Sequence, residues 1–174
     1  MGPEGECPVY VTGVGAVATT EALWHRFMSQ GLPKAIIALG IAGSYDSRFP
    51  LYAGVQVRRE LWAALGRRRL RHLESLPATL LGDFSRQVES TAIPLELPQV
   101  TGLTIESVSA CRREALFWKR TYPEAVLETQ ENAAYLRFGA QLGIPVYALR
   151  IISNRVGERR WDREAAFHAL ATFA

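Results

Sequence analysis

The sequence is poor in the residues that announce metal or disulfide chemistry. Its 174 residues include two cysteines, Cys7 and Cys111. They have no CxxC spacing and are too few for a disulfide framework, which excludes zinc-ribbon and disulfide-stapled scaffolds. The three histidines, His25, His72 and His168, are scattered and form no HExxH-type pair, so no metal site is expected. Lysine is nearly absent. Lys34 and Lys119 are the only two, and arginine supplies almost all of the positive charge. A net charge of +3 allows anionic ligands without demanding nucleic acid. No apolar run approaches the length of a membrane span. The opening MGPEGECP has neither the basic nor the apolar region of a signal peptide. These absences point to a cytoplasmic protein with no nucleic-acid or membrane partner.

What is present fits an ordinary globular domain. Hydrophobic residues make up 48% and charged residues 21%. The length suits one domain over 1–174 with a sizeable core. The single dense basic run, Arg67, Arg68, Arg69 and Arg71, reads as a solvated helix face rather than a phosphate patch. No aromatic residue interleaves it as in a single-strand binder.

Apolar patterning predicts strands alternating with helices. PVYVT (8–12) reads as a strand. A helix then carries Leu23, Trp24, Phe27 and Met28 on one face, with Thr19 and Thr20 as its N-cap signal. AIIAL (35–39) has the continuous apolar character of a buried parallel strand. GVQVRR (54–59) reads as another strand. Residues 61–100, with Pro77, Gly82, Pro94 and Pro98, predict a short helix and an irregular connection. Strands follow at 103–109, 125–129 and 146–152. Helices are expected at 112–120, 131–142 and 162–173, the last capped by Asp162. Gly143 stops the helix before it. Alternation of this kind indicates an α/β fold. Ligands bind such sheets beyond the carboxyl ends of the strands. Four strand ends carry candidates: TGVG with Gly15, GIAGS with Ser44, the segment holding Gln130 and Glu131, and Ser153-Asn154.

Five segments occur in a recognisable order: TGVGAVAT (12–19), LGIAGSY (39–45), TIESVSA (104–110), ETQENAA (128–134) and LRIISNRVGERRW (149–161). Together they resemble the futalosine hydrolases, nucleosidases of the menaquinone pathway. These share a superfamily with methylthioadenosine/S-adenosylhomocysteine nucleosidases and purine nucleoside phosphorylases. The resemblance implies a single-domain α/β three-layer sandwich with a mostly parallel or mixed twisted sheet. It also implies cofactor-free hydrolysis of a purine nucleoside, and a homodimer or higher homo-oligomer. Glu131 would accept hydrogen bonds from ribose hydroxyls. Gln130 stands where the family motif E-x-M-E-G-A-A has a methionine packed on the sugar, and Asn132 replaces its glycine. Arg150 would line the site near the ribose carboxylate, with Glu131 or another acid as its partner. Ser44 would face the anion or water pocket. The family's first strand, and the loop after it that carries a water-activating acid, are expected to have no counterpart, because PVYVT matches the second or third strand. Glu4 and Glu6 lie on the wrong side of PVYVT to supply that acid.

N-glycosidic cleavage needs a stabilised leaving base and a sugar on which charge can develop. Asn154 suits a 6-oxopurine. Its amide donates to the 6-oxo group while its carbonyl accepts from a protonated N7. An ionised aspartate there would set acceptor against acceptor, and would suit adenine instead. As a plainer alternative, Ser153-Asn154 caps a turn, and Glu131 caps its helix. Three other functions compete. Gly13, Gly15 and Ala18 fit a dinucleotide G-x-G-x-x-A, but no acid ends the next strand. A non-catalytic nucleoside-binding or assembly protein would share the fold. A phosphorylase would need arginines on phosphate, for which Arg48 and Arg58 are the candidates.

Overall fold

The computed structural model describes residues 7–63, 65–69, 72–81 and 85–173. In chain order the elements are α1 (Ala16–Gln30), β1 (Ile36–Ser44), β2 (Gly54–Trp62), β3 (Gly66–Arg68), β4 (Leu73–Ser75) and α2 (Ala78–Leu81). They continue with β5 (Gln87–Glu89), β6 (Gln99–Thr104), α3 (Arg112–Thr121), β7 (Leu127–Thr129), α4 (Asn132–Leu142), β8 (Val146–Arg155) and α5 (Arg163–Phe173).

The two longest apolar runs become neighbours. β1 and β8 pair in parallel from Ile36↔Val146 to Ala42↔Ile152. β6 joins β2 and β7 in parallel, and β7 reaches β1 antiparallel at Gly43 and Ser44. β2 also pairs antiparallel with β8, through Gly54↔Ile151 to Gln56↔Leu149. The mixed sheet of order β5-β2-β6-β7-β1-β8 therefore closes through β2 and β8. Closure removes edges that would otherwise need covering.

One face of this sheet carries Ala38, Ala42, Val55, Val57, Ala148 and Ile152, which pack with Leu136 of α4. Burying the valine, isoleucine and leucine side chains stabilises the fold by about 1.5–3 kcal/mol each, and the alanines by less. α1 lies on α4, where Phe138 meets Trp24 edge-on at 5.1 Å and Phe27 at 5.2 Å between ring centroids. That contact sets the start of α1 against the start of α4. A second core joins Leu61, Leu103 and Ile105 to Trp118 of α3. Among the described residues no helix is long and apolar enough to cross a membrane.

Several sequence expectations change. PVYVT forms no strand: residues 7–13 are irregular, with Val9 and Val11 almost fully exposed. A strand needs a partner for its backbone groups, and the described β1 pairs only with β8 and β7. The first helix starts at Ala16 with Gly15 as its N-cap, so Thr19 and Thr20 lie inside it. Thr20 Oγ1 donates back to Ala16 O at 2.8 Å. The expected strand at 103–109 runs over 99–104, and 105–109 becomes a loop. Arg67 and Arg68 sit on β3 of a small hairpin, not on a helix. Arg68 lies over the rings of Phe117 and Trp118, at 4.7 and 5.6 Å. Arg71 falls outside the described residues, as do Glu4 and Glu6. The last helix is capped as expected, Ala165 N donating to Asp162 Oδ1 at 2.9 Å.

Candidate functional site

The site residues lie at neighbouring strand ends. Along β1 and β8 the register shifts by one after Ala42, so Gly43 faces Asn154 and Ser153 is the extra residue of a bulge. A bulge re-aims side chains at the point where pairing breaks. Here it turns two polar residues out of an apolar strand. Ser153 Oγ lies 2.8 Å from Asn154 Oδ1 and 3.2 Å from Ala42 O. Asn154 Nδ2 donates to Arg155 O at 3.1 Å. The amide is therefore oriented at both ends, while one N–H and one carbonyl lone pair stay open.

Ser44 is buried. Its hydroxyl serves the turn after β1, 3.0 Å from Asp46 O, and accepts Asp46 N–H at 3.1 Å. Asp46 is the acid that pairs with Arg48, at 2.6 Å. The hydrogen bonds from Arg48 hold its carboxyl down at about 2. The other phosphate candidate, Arg58, donates to Ser90 O at 2.5 Å. The two arginines thus serve separate local contacts.

Glu131 occupies the N-cap position of α4, yet its side chain makes no capping bond to that helix. It accepts Gly15 N–H at 2.9 Å on Oε1. Among the described residues Oε2 has no hydrogen-bond partner. Gly15 has φ +88°, a left-handed backbone that favours glycine and lets its N–H point at the carboxylate. The glycine motif and the glutamate, 116 residues apart, thus form one feature. Gln130 Nε2 donates to Glu106 O at 3.0 Å and ties the 105–109 loop to this strand end.

The same loop is tied again by Glu128, which accepts Ser109 N at 2.8 Å and Ser109 Oγ at 2.7 Å. The Tyr45 hydroxyl donates to it as well. Burial first, and then the Glu128 charge, raise the Tyr45 hydroxyl above its ordinary range, so it remains a donor. A cavity of about 190 Å³ opens beside the loop, lined by Ile105, Glu106, Ser107, Val108 and Arg68 among others.

Arg150 is fully buried, and among the described residues it makes no hydrogen bond or ion pair with Glu131. Its guanidinium donates to Ala38 O at 2.6 Å, Leu149 O at 2.7 Å and Asn132 Oδ1 at 2.8 Å. Its acid is Glu60, reached through Asn132, whose Nδ2 donates to Glu60 Oε2 at 2.6 Å. Glu60 Oε1 also accepts from Thr104 at 2.7 Å and Thr129 at 3.3 Å. Burial pushes the Glu60 carboxyl up to about 7, against the opposing pull of Asn132, Thr104 and Arg150. The carboxylate fits because residue 102 is glycine: a Cβ there would stand 2.1 Å from Glu60 Oε2. Sequence reasoning missed Glu60, Thr104 and Thr129, and read Asn132 only as a replaced glycine. The one available signal was a glutamate inside an otherwise strand-like GVQVRRELW.

The Phosphorylase superfamily model matches residues 4–172, and the chain belongs to that superfamily. No curated protein matches it by sequence. Among solved structures it is similar to a putative methylthioadenosine nucleosidase from Weissella paramesenteroides, with a TM-score of 0.69 and 18% identity. That match covers 92% of this chain and 73% of the other. It is similar to a futalosine hydrolase mutant of Helicobacter pylori, with a TM-score of 0.73, 15% identity and 92% and 73% coverage. It also resembles the 5'-methylthioadenosine/S-adenosyl homocysteine nucleosidase of Campylobacter jejuni, with a TM-score of 0.75, 14% identity and 93% and 74% coverage. At such identities these likenesses establish the α/β fold with its mixed sheet.

Proposed function

We propose that this protein is a cytoplasmic, cofactor-free N-glycosyl hydrolase of 6-oxopurine nucleosides, with futalosine as its preferred substrate and hypoxanthine as the released base. The observation that carries this reading is the fixed amide of Asn154. With Oδ1 turned to Ser153 and Nδ2 to Arg155 O, its open lone pair and open N–H match a protonated N7 beside a 6-oxo group.

In the reaction the C1′–N9 bond breaks with its electron pair passing to the base, a proton arrives at N7, and water adds to C1′ and loses a proton. Asn154 holds the N7 proton and the 6-oxo oxygen as charge moves onto the base, a fixed-dipole stabilisation of the transition state. Glu131 is poised for the sugar. With Oε1 on Gly15 N–H and Oε2 open, it accepts ribose hydroxyls and steadies the positive charge that develops on the ring. Gln130, in place of an apolar partner for the sugar, serves the 105–109 loop. Ser153 orients Asn154, and Ser44 and Arg150 support the strand ends rather than touching substrate.

Hydrolysis is favoured over phosphorolysis because Arg48 closes on Asp46 and Arg58 on Ser90. A dinucleotide site loses its strand context, since residues 7–13 are irregular. A homodimer or higher homo-oligomer belongs to the same proposal and is supported by exposed Val14, Val17 and Met28. Sedimentation of the purified chain tests that part. The reaction is tested by incubating the protein with futalosine, inosine or adenosine, with and without phosphate. Phosphate-independent release of hypoxanthine is expected. Release that requires phosphate, or nucleoside binding without release, would overturn the hydrolase reading.

A further inference from the structure

We infer that Asn132, held between Arg150 and Glu60, is the positioning residue for Glu131. The inference rests on the role given to Glu131 above only in its kinetic consequence; the geometry stands apart from it.

Asn132 is the first residue of α4 and is fully buried. It faces a cation on one side and a carboxyl group on the other. Oδ1 accepts from Arg150 Nη2 at 2.8 Å and Nδ2 donates to Glu60 Oε2 at 2.6 Å. A planar amide has one acceptor end and one donor end, so asparagine satisfies both neighbours at once. An aspartate would face the Glu60 carboxyl group with a second one. An apolar residue would strand two ionisable groups in the core, the costly way to break such an arrangement.

The next residue is held through the same carboxyl group. Ala133 N–H, one of the unpaired amides at the start of a helix, donates to Thr104 Oγ1 at 2.9 Å. That hydroxyl in turn donates to Glu60 Oε1 at 2.7 Å. One carboxyl group on β2, an arginine on β8 and a threonine on β6 thus fix the first two residues of α4. Thr104 caps the helix from outside, and so takes the role that the side chain at the N-cap position usually fills. Glu131 is released from capping. Its carboxylate turns to Gly15 and keeps Oε2 open. The brace therefore does two things: it places the backbone that carries Glu131, and it leaves that side chain free.

The Gly15 amide reports on Glu131 directly and needs no substrate. In the apo protein its proton resonance should move upfield, and its exchange protection fall, in Glu131→Gln, because the charged acceptor is lost. Asn132→Ala should produce a shift in the same direction. Thr104→Val, nearly isosteric and expected to fold even where Asn132→Ala does not, should produce a smaller one. Leu136→Ala, one turn further along the same helix, should cost stability and leave the resonance in place. Where the wild type releases hypoxanthine from inosine, Asn132→Ala should lower kcat/KM by about tenfold to a hundredfold, the scale set by a displaced contact. A Gly15 resonance that moves in Glu131→Gln but stays put in both Asn132→Ala and Thr104→Val would overturn the inference. Failure of the wild type to release base would instead overturn the proposed function and leave the amide test standing.

Discussion

The two halves of the site are held in place by different means. Asn154 is oriented by its chain neighbours, Ser153 before it and Arg155 after it. Glu131 is oriented by residues far away in sequence: Gly15 on α1's N-cap, Thr104 on β6 and, through Asn132, Glu60 and Arg150. The leaving-group end is a local device that one strand with a bulge can carry. The sugar end is assembled only when α1, β2, β6 and β8 pack against α4. Breaking the brace of Asn132, Glu60, Arg150 and Thr104 should therefore reach Glu131 before it reaches Asn154.

The largest effect is expected at the local device. Asn154→Ala should lower kcat on inosine by about 10²–10³, the loss typical of removing one donor from a stabilising pair. Its melting temperature should stay near that of the wild type, which differential scanning fluorimetry would check.

Glu131→Gln comes next. Steady-state kinetics should show kcat/KM reduced by about tenfold to a hundredfold, the scale of a misplaced contact, with the fold intact by circular dichroism. Unfolding in this variant would make Glu131 a structural residue instead.

The pH dependence of stability separates the halves by a different measurement. Burial raises the Glu60 carboxyl from 4.5 to about 7, so the folded state keeps a proton that the unfolded chain has already released. The raised value means that this contribution is present at low pH. It declines as pH rises from about 4.5 through about 7. Thermal melts across that window should show wild-type stability falling with pH, and Glu60→Gln should flatten the fall. Ser153→Ala, on the local side, should leave the wild-type slope unchanged.

The smallest effect belongs to the exposed pair near β1. Arg48→Ala should leave stability close to that of the wild type, because solvent screens a charge as exposed as this one. Chemical denaturation would measure it, and phosphate should not alter the rate of the variant.

The same contrast explains what was legible in the sequence. The role proposed for Ser153-Asn154 came from the resemblance of LRIISNRVGERRW, which consecutive residues of one apolar strand carry; the two residues alone fit a turn cap equally well. β1, β8, α4 and α5 were found because their apolar runs and caps are local signals. Glu60 was not. The strand was expected to end at residue 59, and period-2 alternation from Val55 and Val57 would put Arg59 on their face; the register shift between Val57 and Arg59 brings Glu60 there instead. Arg150 was assigned an acid partner, yet nothing local shows that Asn132 stands between them. PVYVT had the composition of a strand, but strand formation depends on a partner that composition does not supply. The arginine run was misassigned for a similar reason. The aromatic rings under Arg68 lie on α3, some fifty residues away in the chain.

The central claim is that the Asn154 amide reads a 6-oxopurine. The most direct measurement is the ratio of kcat/KM for inosine to that for adenosine, in the wild type and in Asn154→Asp. The wild type should strongly prefer inosine, and the variant's preference should move toward adenosine. A wild type that cleaves adenosine as well as or better than inosine, or a ratio unchanged by the substitution, would contradict the claim.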